Sequence, residues 1–360
     1  MATNYEVIGV SSSGNDVLNQ VGKQEGVKVI PVKMTCKITP IKDLKAVWQL
    51  YKILKIEKPF IVHSHTPKAG TLGMIAAYLA KVPHRLHTIA GLPLLEATGK
   101  KRWLLDIVEK LTYKCATKIY PNSFGLRDII LKNNFTSNNK LQVIGNGSSN
   151  GIDTNHFNPE IYSETEKQNL RKSLEIDEND FVFIFIGRLV NDKGINELVN
   201  AFCNLTMTNK NVKLLLVRGF KGESDLLPKQ TWEKITTHEQ IITVGQQKDV
   251  KPFLAMSDAL VFPSYREGFP NVVLEAGAMG LPSIVTNING SNEIITHGEN
   301  GLIVPSKDEA ALLQRMTTFV TDRKLVSALA NNARPMIASR FERSFVWNAI
   351  LKEYRTLENS

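Results

Sequence analysis

The stretch Phe181-Val-Phe-Ile-Phe-Ile186 is an unbroken run of apolar residues with strong strand propensity. A strand without a polar face is buried on both sides, which is typical of the parallel sheets of α/β proteins. It is followed by Gly187 and then by a predicted helix over residues 195–205. This succession predicts a parallel sheet with crossover helices.

The same alternation of short apolar runs and longer amphipathic stretches extends over both halves of the chain. One amphipathic stretch places Leu44, Val47 and Trp48 on a single predicted helix face. The fold class is therefore α/β. Strands are predicted at residues 5–10, 27–32, 60–63, 85–89, 118–120 and 141–144, and after residue 186 at 213–217, 241–244, 259–262, 283–285 and 302–304.

Chain length and turn composition predict two domains. A chain of 360 residues is too long for one ordinary core, and the turn-rich segment Gly145–Gly151 is the expected hinge. We place an N-terminal Rossmann-like domain at residues 1–155 and a C-terminal one at residues 156–338. The helix at residues 339–360 is expected to pack back toward the N-terminal domain.

The composition, 42% hydrophobic and 22% charged, is that of a soluble globular protein. No run of 18 apolar residues is present, and the first ten residues lack the features of a secretory signal, so a cytoplasmic location is expected. Cys36, Cys115 and Cys203 are widely separated, which fits a reducing compartment and no metal-ligand spacing.

Positive charge is concentrated in the first half of the chain. Residues 1–160 hold 21 Lys and Arg against 11 Asp and Glu, whereas residues 161–360 hold 23 against 24. A field of this sign attracts phosphates, and the sequence has no nucleic-acid-binding motif. An anionic lipid surface or a diphosphate-containing substrate is therefore preferred over nucleic acid as the partner.

Two carboxylates flank a helix start predicted within residues 263–282. Pro270 suits the first helical position and Gly280 the C-terminal cap, so this helix is expected over residues 270–279. Its free N–H groups can donate to phosphate or sugar oxygens. Glu267 and Glu275 are then about 8–12 Å apart on the same side, where Glu275 could hold a ribose and Glu267 a second sugar. The alternative interpretation is a helix-end charge and an exposed helical residue.

Two cations lie in the turn that follows the apolar run at 181–186. Arg188 and Lys193 could neutralise a pyrophosphate leaving group, whose developing charge is the main barrier to breaking its bond to a sugar. A charged turn after a strand is also commonly just solvated. This turn and the loop that carries Glu267 are both expected at the carboxyl ends of strands in the second half of the chain, which favours the binding role.

The first half of the chain contains candidate residues for contact with an acceptor substrate. His63 and His65 end a predicted strand, are expected on opposite faces and so are not expected to share a metal. His65 and Lys68 are the acceptor-side candidates of this segment, although a packed core histidine is an equal alternative.

A basic segment, Lys100-Lys-Arg102, precedes Trp103 and a predicted helix whose apolar stripe is Leu104, Ile107, Val108 and Leu111. Lys100, Lys101 and Arg102 are further acceptor-side candidates and predict contact with a membrane surface or a lipid diphosphate. The alternative is a solvated cationic turn before a core-facing helix.

The segment Arg-Glu-Gly-Phe-Pro-Asn-Val-Val-Leu-Glu-Ala, from Arg266 to Ala276, resembles the E-x7-E signature of retaining glycosyltransferases of family 4. Gly187-Arg188 with Lys193-Gly194 looks like that family's diphosphate-binding turn. The resemblance covers nearly the whole chain and is strongest toward bacterial capsule, exopolysaccharide and O-antigen sugar transferases. It implies the GT-B architecture, two Rossmann-like domains with parallel sheets facing each other across a cleft.

The resemblance also implies residue roles. Glu275 is expected to bind ribose, and Glu267, Arg188 and Lys193 are the expected catalytic residues. No metal or other cofactor is expected, because the nucleotide-sugar, expected to be UDP-linked, is a substrate. The expected donor site consists of Arg188, Lys193, Glu267, Gly268, Phe269, Pro270, Asn271 and Glu275.

Two features depart from the family pattern. The first strand–helix unit of the family is apparently missing, and Ala90-Gly91 stands where the family has a His-Gly step. Apart from these departures, the resemblance implies a metal-independent retaining transferase that acts on a polyprenyl-diphosphate-linked or polysaccharide acceptor, peripheral at the inner face of the bacterial cytoplasmic membrane. A non-catalytic nucleotide-sugar-binding protein, or a related epimerase or phosphorylase, is the alternative.

Overall fold

The computed structural model describes residues 1–12, 15–35, 39–92, 94, 97–217 and 227–359, so Cys36 lies outside the described residues. The chain divides into two compact units. Unit 1 consists of Met1–Ser149 and Val346–Ser360, and unit 2 of Asn150–Phe345. Among the residues described in both units, no helix combines the length and the apolar character needed to cross a bilayer.

Unit 1 contains two separate parallel sheets in its described part, one of order β1-β2 and one of order β3-β4-β5. Crossover helices join the strands, which is why the strands are parallel. The strands are β1 (Ile8–Ser11), β2 (Lys28–Pro31), β3 (Ile61–Ser64), β4 (His84–Ile89) and β5 (Lys118–Pro121), and the helices are α1 (Asn15–Glu25), α2 (Pro40–Glu57), α3 (Pro67–Leu79), α4 (Gly99–Cys115) and α5 (Phe124–Lys132).

Unit 2 is built on a six-stranded parallel sheet of order β11-β10-β9-β6-β7-β8. All six residues of its central strand are buried, as the unbroken apolar run at 181–186 predicts. The strands are β6 (Phe181–Ile186), β7 (Val212–Val217), β8 (Ile241–Thr243), β9 (Ala259–Phe262), β10 (Ser283–Thr286) and β11 (Gly301–Val304). The helices are α6 (Glu164–Ser173), α7 (Ile195–Thr208), α8 (Lys229–Thr237), α9 (Lys251–Ala255), α10 (Asn271–Ala278), α11 (Ser291–Ile294), α12 (Glu309–Thr321), α13 (Arg323–Phe341) and α14 (Arg343–Glu358), the last of which continues into unit 1.

The C-terminal part of α14 packs within unit 1. Leu357 forms an apolar cluster with Leu86 of β4 and Tyr120 of β5. The Tyr120 hydroxyl donates to Glu353 over 2.9 Å, and the Tyr354 hydroxyl lies 2.5 Å from His63 Nδ1. These contacts fasten the end of the chain to the β3-β4-β5 sheet.

Two local predictions are wrong. Residues 141–144 form no strand but a single bridge between Ile119 and Leu141, because the pairing stops where the turn-rich segment begins. On α2, Trp48 is 58% exposed and Leu44 72% exposed, whereas Val47 is buried. Ala46 contributes to the buried face instead, since a small residue allows close approach to a neighbouring helix.

Candidate functional site

The two charged motifs of unit 2 meet at the carboxyl ends of β6 and β9. These strands are hydrogen-bonded neighbours, so the turn after β6 lies beside the loop after β9. The two segments are in close contact at Gly194, where a Cβ would lie 2.9 Å from the Pro263 carbonyl carbon. Gly194 also has φ +70°, a conformation that favours glycine. The backbone N–H of Tyr265 also donates to the Asp192 carbonyl over 2.9 Å. Sheet topology therefore brings together residues far apart in sequence.

Lys193 and Glu267 form an ion pair at this junction. Their side chains are 17% and 18% exposed, so the pair is largely screened from solvent. Ser264 Oγ lies 3.0 Å from Glu267 Oε1, and the Lys193 ammonium lies 5.6 Å from the centre of the Phe262 ring. An ammonium has three donors, and one pairing with Glu267 leaves the group able to donate to a further anionic oxygen.

The helix that follows Glu267, α10, is shorter by one residue at each end than the helix predicted over residues 270–279. Pro270 is the N-cap of α10 with extended backbone, not the first helical residue, and Met279 is the C-cap. Asn271 is exposed at the first helical position, and Glu275 is half-buried one turn further along. Gly268 and Phe269 are buried, and the Phe269 ring packs edge-on against Phe341 at 5.3 Å.

Arg188 begins the turn after β6 and is exposed. Among the residues that the structure describes, none is hydrogen-bonded or ion-paired to its guanidinium. The residue is thus placed at the same strand end as Lys193, with its charge open to a ligand. An exposed guanidinium favours binding of phosphate oxygens.

Sequence reasoning missed the residues that hold the Glu267 loop. The Thr286 hydroxyl donates to the Ser264 carbonyl, and the Asn289 amide donates to the Glu267 carbonyl. Gly290 has φ +78°, and a Cβ there would lie 2.9 Å from the Phe269 Cα. The signal available in the sequence was the Asn-Gly turn after β10, which ends at the same edge of the sheet.

A second missed contact flanks the ion pair. The Tyr265 hydroxyl lies 2.6 Å and 2.7 Å from the two Glu197 carboxylate oxygens. Burial, followed by this hydrogen bond, raises the pKa of the Tyr265 hydroxyl above its ordinary value. Arg266 pairs with Asp192 at 3.0 Å. The loop after β9 is therefore fixed to the turn and helix that follow β6.

The histidines of unit 1 lie together on β3 and β4. The expectation that His63 and His65 project to opposite faces is wrong, because their rings stack at 4.3 Å, as residues two apart on an extended chain share a face. His63 also lies 2.7 Å from the Thr88 hydroxyl, and His87 lies 2.9 Å from Ser64. Burial lowers the pKa of His63 well below its ordinary value and that of His87 to about 4. No group of three His, Cys, Asp or Glu side chains suited to a metal occurs among the described residues.

Of the other candidates for acceptor binding, some are ion-paired within unit 1 and some are exposed. Lys68 pairs with Asp43 at 2.7 Å, joining α3 to α2. Arg102 pairs with Asp106 at 2.7 Å and donates to Asn133 over 2.9 Å. These two cations serve the packing of unit 1, whereas His65, Lys100 and Lys101 are exposed.

The apolar stripe of α4 faces solvent. Trp103 is 67% exposed, and Leu104, Ile107 and Leu111 are 41–43% exposed. The buried residues of the helix are Thr112, Tyr113 and Cys115, near its C-terminus. The helix contacts the core of unit 1 through Leu105, Tyr113 and Cys115 instead, so the predicted stripe is not its core-facing side.

Comparison with known proteins gives the family of this chain. Residues 166–336 match the family "Glycosyl transferases group 1", and residues 1–123 match "Glycosyl transferase 4-like". The capsular polysaccharide biosynthesis glycosyltransferase CapM of Staphylococcus aureus is 33% identical over 353 residues, covering 98% of this chain and 90% of CapM. The UDP-Gal:alpha-D-GlcNAc-diphosphoundecaprenol alpha-1,3-galactosyltransferase of Escherichia coli is 32% identical over 327 residues, covering 88% of this chain and 81% of that enzyme.

Solved structures show the same fold. The crystal structure of Anabaena HepE in complex with UDP superposes with a TM-score of 0.82 at 20% identity, covering 99% of this chain and 94% of HepE. The expected GT-B fold class is confirmed. The chain belongs to the family of glycosyltransferases formed by a group 1 domain and a glycosyltransferase-4-like domain, with the GT-B fold.

Proposed function

We propose that this glycosyltransferase transfers a sugar from a UDP-linked donor, with retention of anomeric configuration, to a polyprenyl-diphosphate-linked or polysaccharide acceptor in cell-surface glycan synthesis. The observation that carries the donor site is the Lys193–Glu267 ion pair at the adjoining ends of β6 and β9. The names of the S. aureus and E. coli relatives support a capsule or lipid-linked product. The UDP in the HepE structure supports the nucleotide.

Each residue of the proposed donor site has a chemical task. Arg188 and Lys193 bind the diphosphate and stabilise the charge that develops on it as the bond to the sugar breaks. Glu267, oriented by Lys193 and Ser264, accepts hydrogen bonds from the donor sugar hydroxyls. Glu275 accepts from the ribose hydroxyls, and the first turn of α10, including Asn271, offers N–H groups to phosphate oxygens.

Retention is proposed to proceed on one face of the sugar. The bond from the anomeric carbon to the β-phosphate oxygen breaks, and the acceptor oxygen attacks the oxocarbenium-like carbon from the same side. The acceptor proton passes to the leaving diphosphate oxygen. No histidine is needed for this step, which fits a chain with Ala90-Gly91 where the resembled family has His-Gly.

Metal independence is part of the proposal. The leaving diphosphate needs positive charge, and Arg188 and Lys193 both follow the carboxyl end of β6, where Lys193 pairs with Glu267 ahead of α10. Arg188 and Lys193 can supply charge that a divalent ion supplies in other transferases. Activity retained in excess EDTA, and not increased by added Mg²⁺ or Mn²⁺, is the expected result.

A donor-binding and transfer assay tests the assignment. Lys193→Met is expected to lower kcat/KM about 100-fold or more, and Glu275→Ala to weaken UDP binding about tenfold or more. Lys229→Met is the matched control, because Lys229 is a 90% exposed lysine of the same unit. UDP affinity unchanged by both site variants would contradict the donor site.

The products separate the alternatives. Transfer of labelled sugar to an acceptor supports the transferase, whereas UDP binding without turnover supports a non-catalytic binder. An altered nucleotide-sugar supports an epimerase, and phosphate-dependent release of sugar phosphate supports a phosphorylase. The anomeric configuration of the product, read by NMR, tests retention.

We further propose that α4 contacts the anionic inner face of the bacterial cytoplasmic membrane, where a polyprenyl-diphosphate acceptor is held. The exposed Trp103 and Leu104 supply apolar area beside the exposed Lys100 and Lys101. Aromatic and basic residues on one helix are typical of interfacial binding.

Flotation with vesicles of phosphatidylcholine, with and without phosphatidylglycerol, tests the contact. Wild-type protein is expected to float with anionic vesicles, and the Lys100→Glu, Lys101→Glu variant to lose this. The control is Lys229→Glu, Lys324→Glu, which changes the net charge equally at exposed positions of unit 2. Equal recovery of all three proteins would contradict the proposal.

A further inference from the structure

The segment that carries Lys193 is a single turn of 3-10 helix, Asn191–Lys193, between β6 and α7. We call it the Lys193 turn. The hydrogen bonds of a 3-10 helix are less well aligned than those of an α-helix, so the position of so short a turn depends on contacts from outside it. The loop after β9 supplies some of them. The Asp192 carbonyl accepts from the Tyr265 backbone N–H over 2.9 Å, and Arg266 pairs with Asp192 at 3.0 Å.

Two side-chain hydrogen bonds in series connect α8 to the Lys193 turn. Asn196, in the first turn of α7, donates from its side-chain amide to the Asn191 side-chain oxygen over 2.6 Å. The Asn196 side-chain oxygen accepts from the Thr231 hydroxyl of α8 over 2.7 Å. Thr231 is 5% exposed, and a buried hydroxyl needs a partner because its desolvation is otherwise costly. The hydroxyl therefore fixes which end of the Asn196 amide points to Asn191.

The next turn of α7 makes a similar contact with α8. Asn200 lies four residues after Asn196, so the two side chains project from the same face of the helix. The Lys234 ammonium of α8 donates to the Asn200 side-chain oxygen over 2.7 Å, and the Asn200 amide donates to Glu309 of α12 over 3.1 Å. Both asparagines thus join α7 to α8. Of these two, in the part of the chain that the structure describes, the Asn196 side chain alone extends the contact to the Lys193 turn.

We propose that Thr231 and Asn196 are positioning residues for the donor diphosphate, which they affect through the Lys193 turn. This inference rests on the proposed function, in which Lys193 binds the diphosphate. Thr231 orients the Asn196 amide, and Asn196 holds the Asn191 side chain. The turn then fixes the direction in which the Lys193 ammonium points. A displacement of about 1 Å is enough to weaken the contact of such a group with its ligand strongly.

The kind of contact favours a positioning role over helix packing alone. An apolar pair of the same shape would pack α8 on α7 equally well, because replacing both partners of a neutral hydrogen bond by apolar groups changes stability little. Hydrogen bonds in series fix an orientation instead, since each bond is directional. They end on Asn191, whose backbone carbonyl accepts from the Gly194 N–H over 2.9 Å and so closes the turn around Lys193.

Binding of UDP and UMP, measured by isothermal titration, tests the proposal because the two probes differ only by the β-phosphate. Thr231→Val keeps the shape of the side chain and removes the hydroxyl. We expect Thr231→Val and Asn196→Ala to weaken UDP binding about three- to tenfold and UMP binding less than about twofold. Thr231→Ser keeps the hydroxyl and is expected to bind UDP as the wild type does. Equal weakening of both nucleotides would show a general loss of structure and would overturn the proposal.

Asn200→Ala is the matched control, since it removes a bond to α8 one helical turn further along α7. We expect it to leave the ratio of the UMP and UDP dissociation constants unchanged. Thermal melts show that each variant is folded before binding is compared. A change of this ratio in Asn200→Ala as large as that in Asn196→Ala would assign the effect to helix packing and would overturn the positioning role.

A double-mutant cycle with Lys193→Met shows whether Asn196 acts through Lys193. In the Lys193→Met background, Asn196→Ala is expected to cause no further loss of UDP affinity, because residues that act on one contact are not additive. A further loss of about threefold or more would overturn the proposal. The single variants separate the two levels of the argument. Unchanged UDP affinity of Lys193→Met would contradict the binding role of Lys193 itself, whereas weakened binding by Lys193→Met with unchanged binding by Asn196→Ala and Thr231→Val would overturn the positioning role alone.

Discussion

Replacing Gly194 by alanine is expected to damage both the stability of unit 2 and the affinity for UDP. The backbone at this position has φ +70°, which costs an L-residue about 1 kcal/mol. The added Cβ would also lie 2.9 Å from the Pro263 carbonyl carbon, and a backbone atom directly after the buried strand β9 cannot move away freely. Overpacking of this kind adds about 1–3 kcal/mol, so the free energy of unfolding should fall by about 2–4 kcal/mol.

Gly298→Ala is the control for backbone strain alone. Gly298 has φ +81°, and a Cβ there would have no neighbouring atom within 4 Å. Its replacement is expected to cost about 1 kcal/mol and to leave UDP affinity unchanged. For a unit of this size, about 1 kcal/mol corresponds to about 2–4 °C in Tm.

Urea unfolding and isothermal titration with UDP are the assays. We expect Gly194→Ala to unfold at lower urea than Gly298→Ala and to bind UDP about tenfold more weakly or worse, because the turn that carries Lys193 must shift from Glu267. Equal stabilities of the two variants, or unchanged UDP affinity of Gly194→Ala, would refute the close packing of the two motifs as the basis of the donor site.

Three further predictions concern single contacts. Burial lowers the pKa of His63 and His87, so below pH 6.5 the unfolded chain binds more protons than the folded one. The free energy of unfolding of unit 1 should therefore be highest above pH 6.5 and fall as the pH drops toward 4, by about 3 kcal/mol for His87. Urea midpoints that do not change between pH 7.5 and 5 would contradict this. Tyr265→Phe removes the donor to the Glu197 carboxylate and should cost about 1–2 kcal/mol of unfolding free energy in urea titrations. Arg171→Ala leaves the Met256 and Asp180 carbonyls without their donor and should lower the free energy of unfolding by about 2 kcal/mol in the same titration. A loss below about 0.5 kcal/mol would show that water replaces these hydrogen bonds.

The sheet of unit 2 was predictable because its strands carry a strong local signal. The six residues of β6 are apolar without interruption, and every predicted strand of this unit matches an observed one to within one residue at each end. The pairing of Lys193 with Glu267 could not be predicted from spacing, because 74 positions separate the two residues. It depends on β6 and β9 being neighbours in the sheet, which no local pattern specifies.

The contacts that support the site could not be predicted from the sequence for the same reason. Asn289 and Thr286 act across loops, through a side-chain amide and a hydroxyl that bond to backbone carbonyls. Such residues carry no motif of their own, since asparagine and threonine are common in turns for local reasons. The exposed stripe of α4 was ambiguous because periodicity finds the face of a helix but not what covers it.

The position of β6 within the sheet of unit 2 bears on the proposed donor site. In unit 2, β6 is paired on both edges and is followed by the turn that carries Arg188 and Lys193, the residues proposed to bind the diphosphate. Because residues at strand ends are only as well positioned as the strand itself, pairing of β6 on both edges should fix the positions of these two cations relative to Glu267.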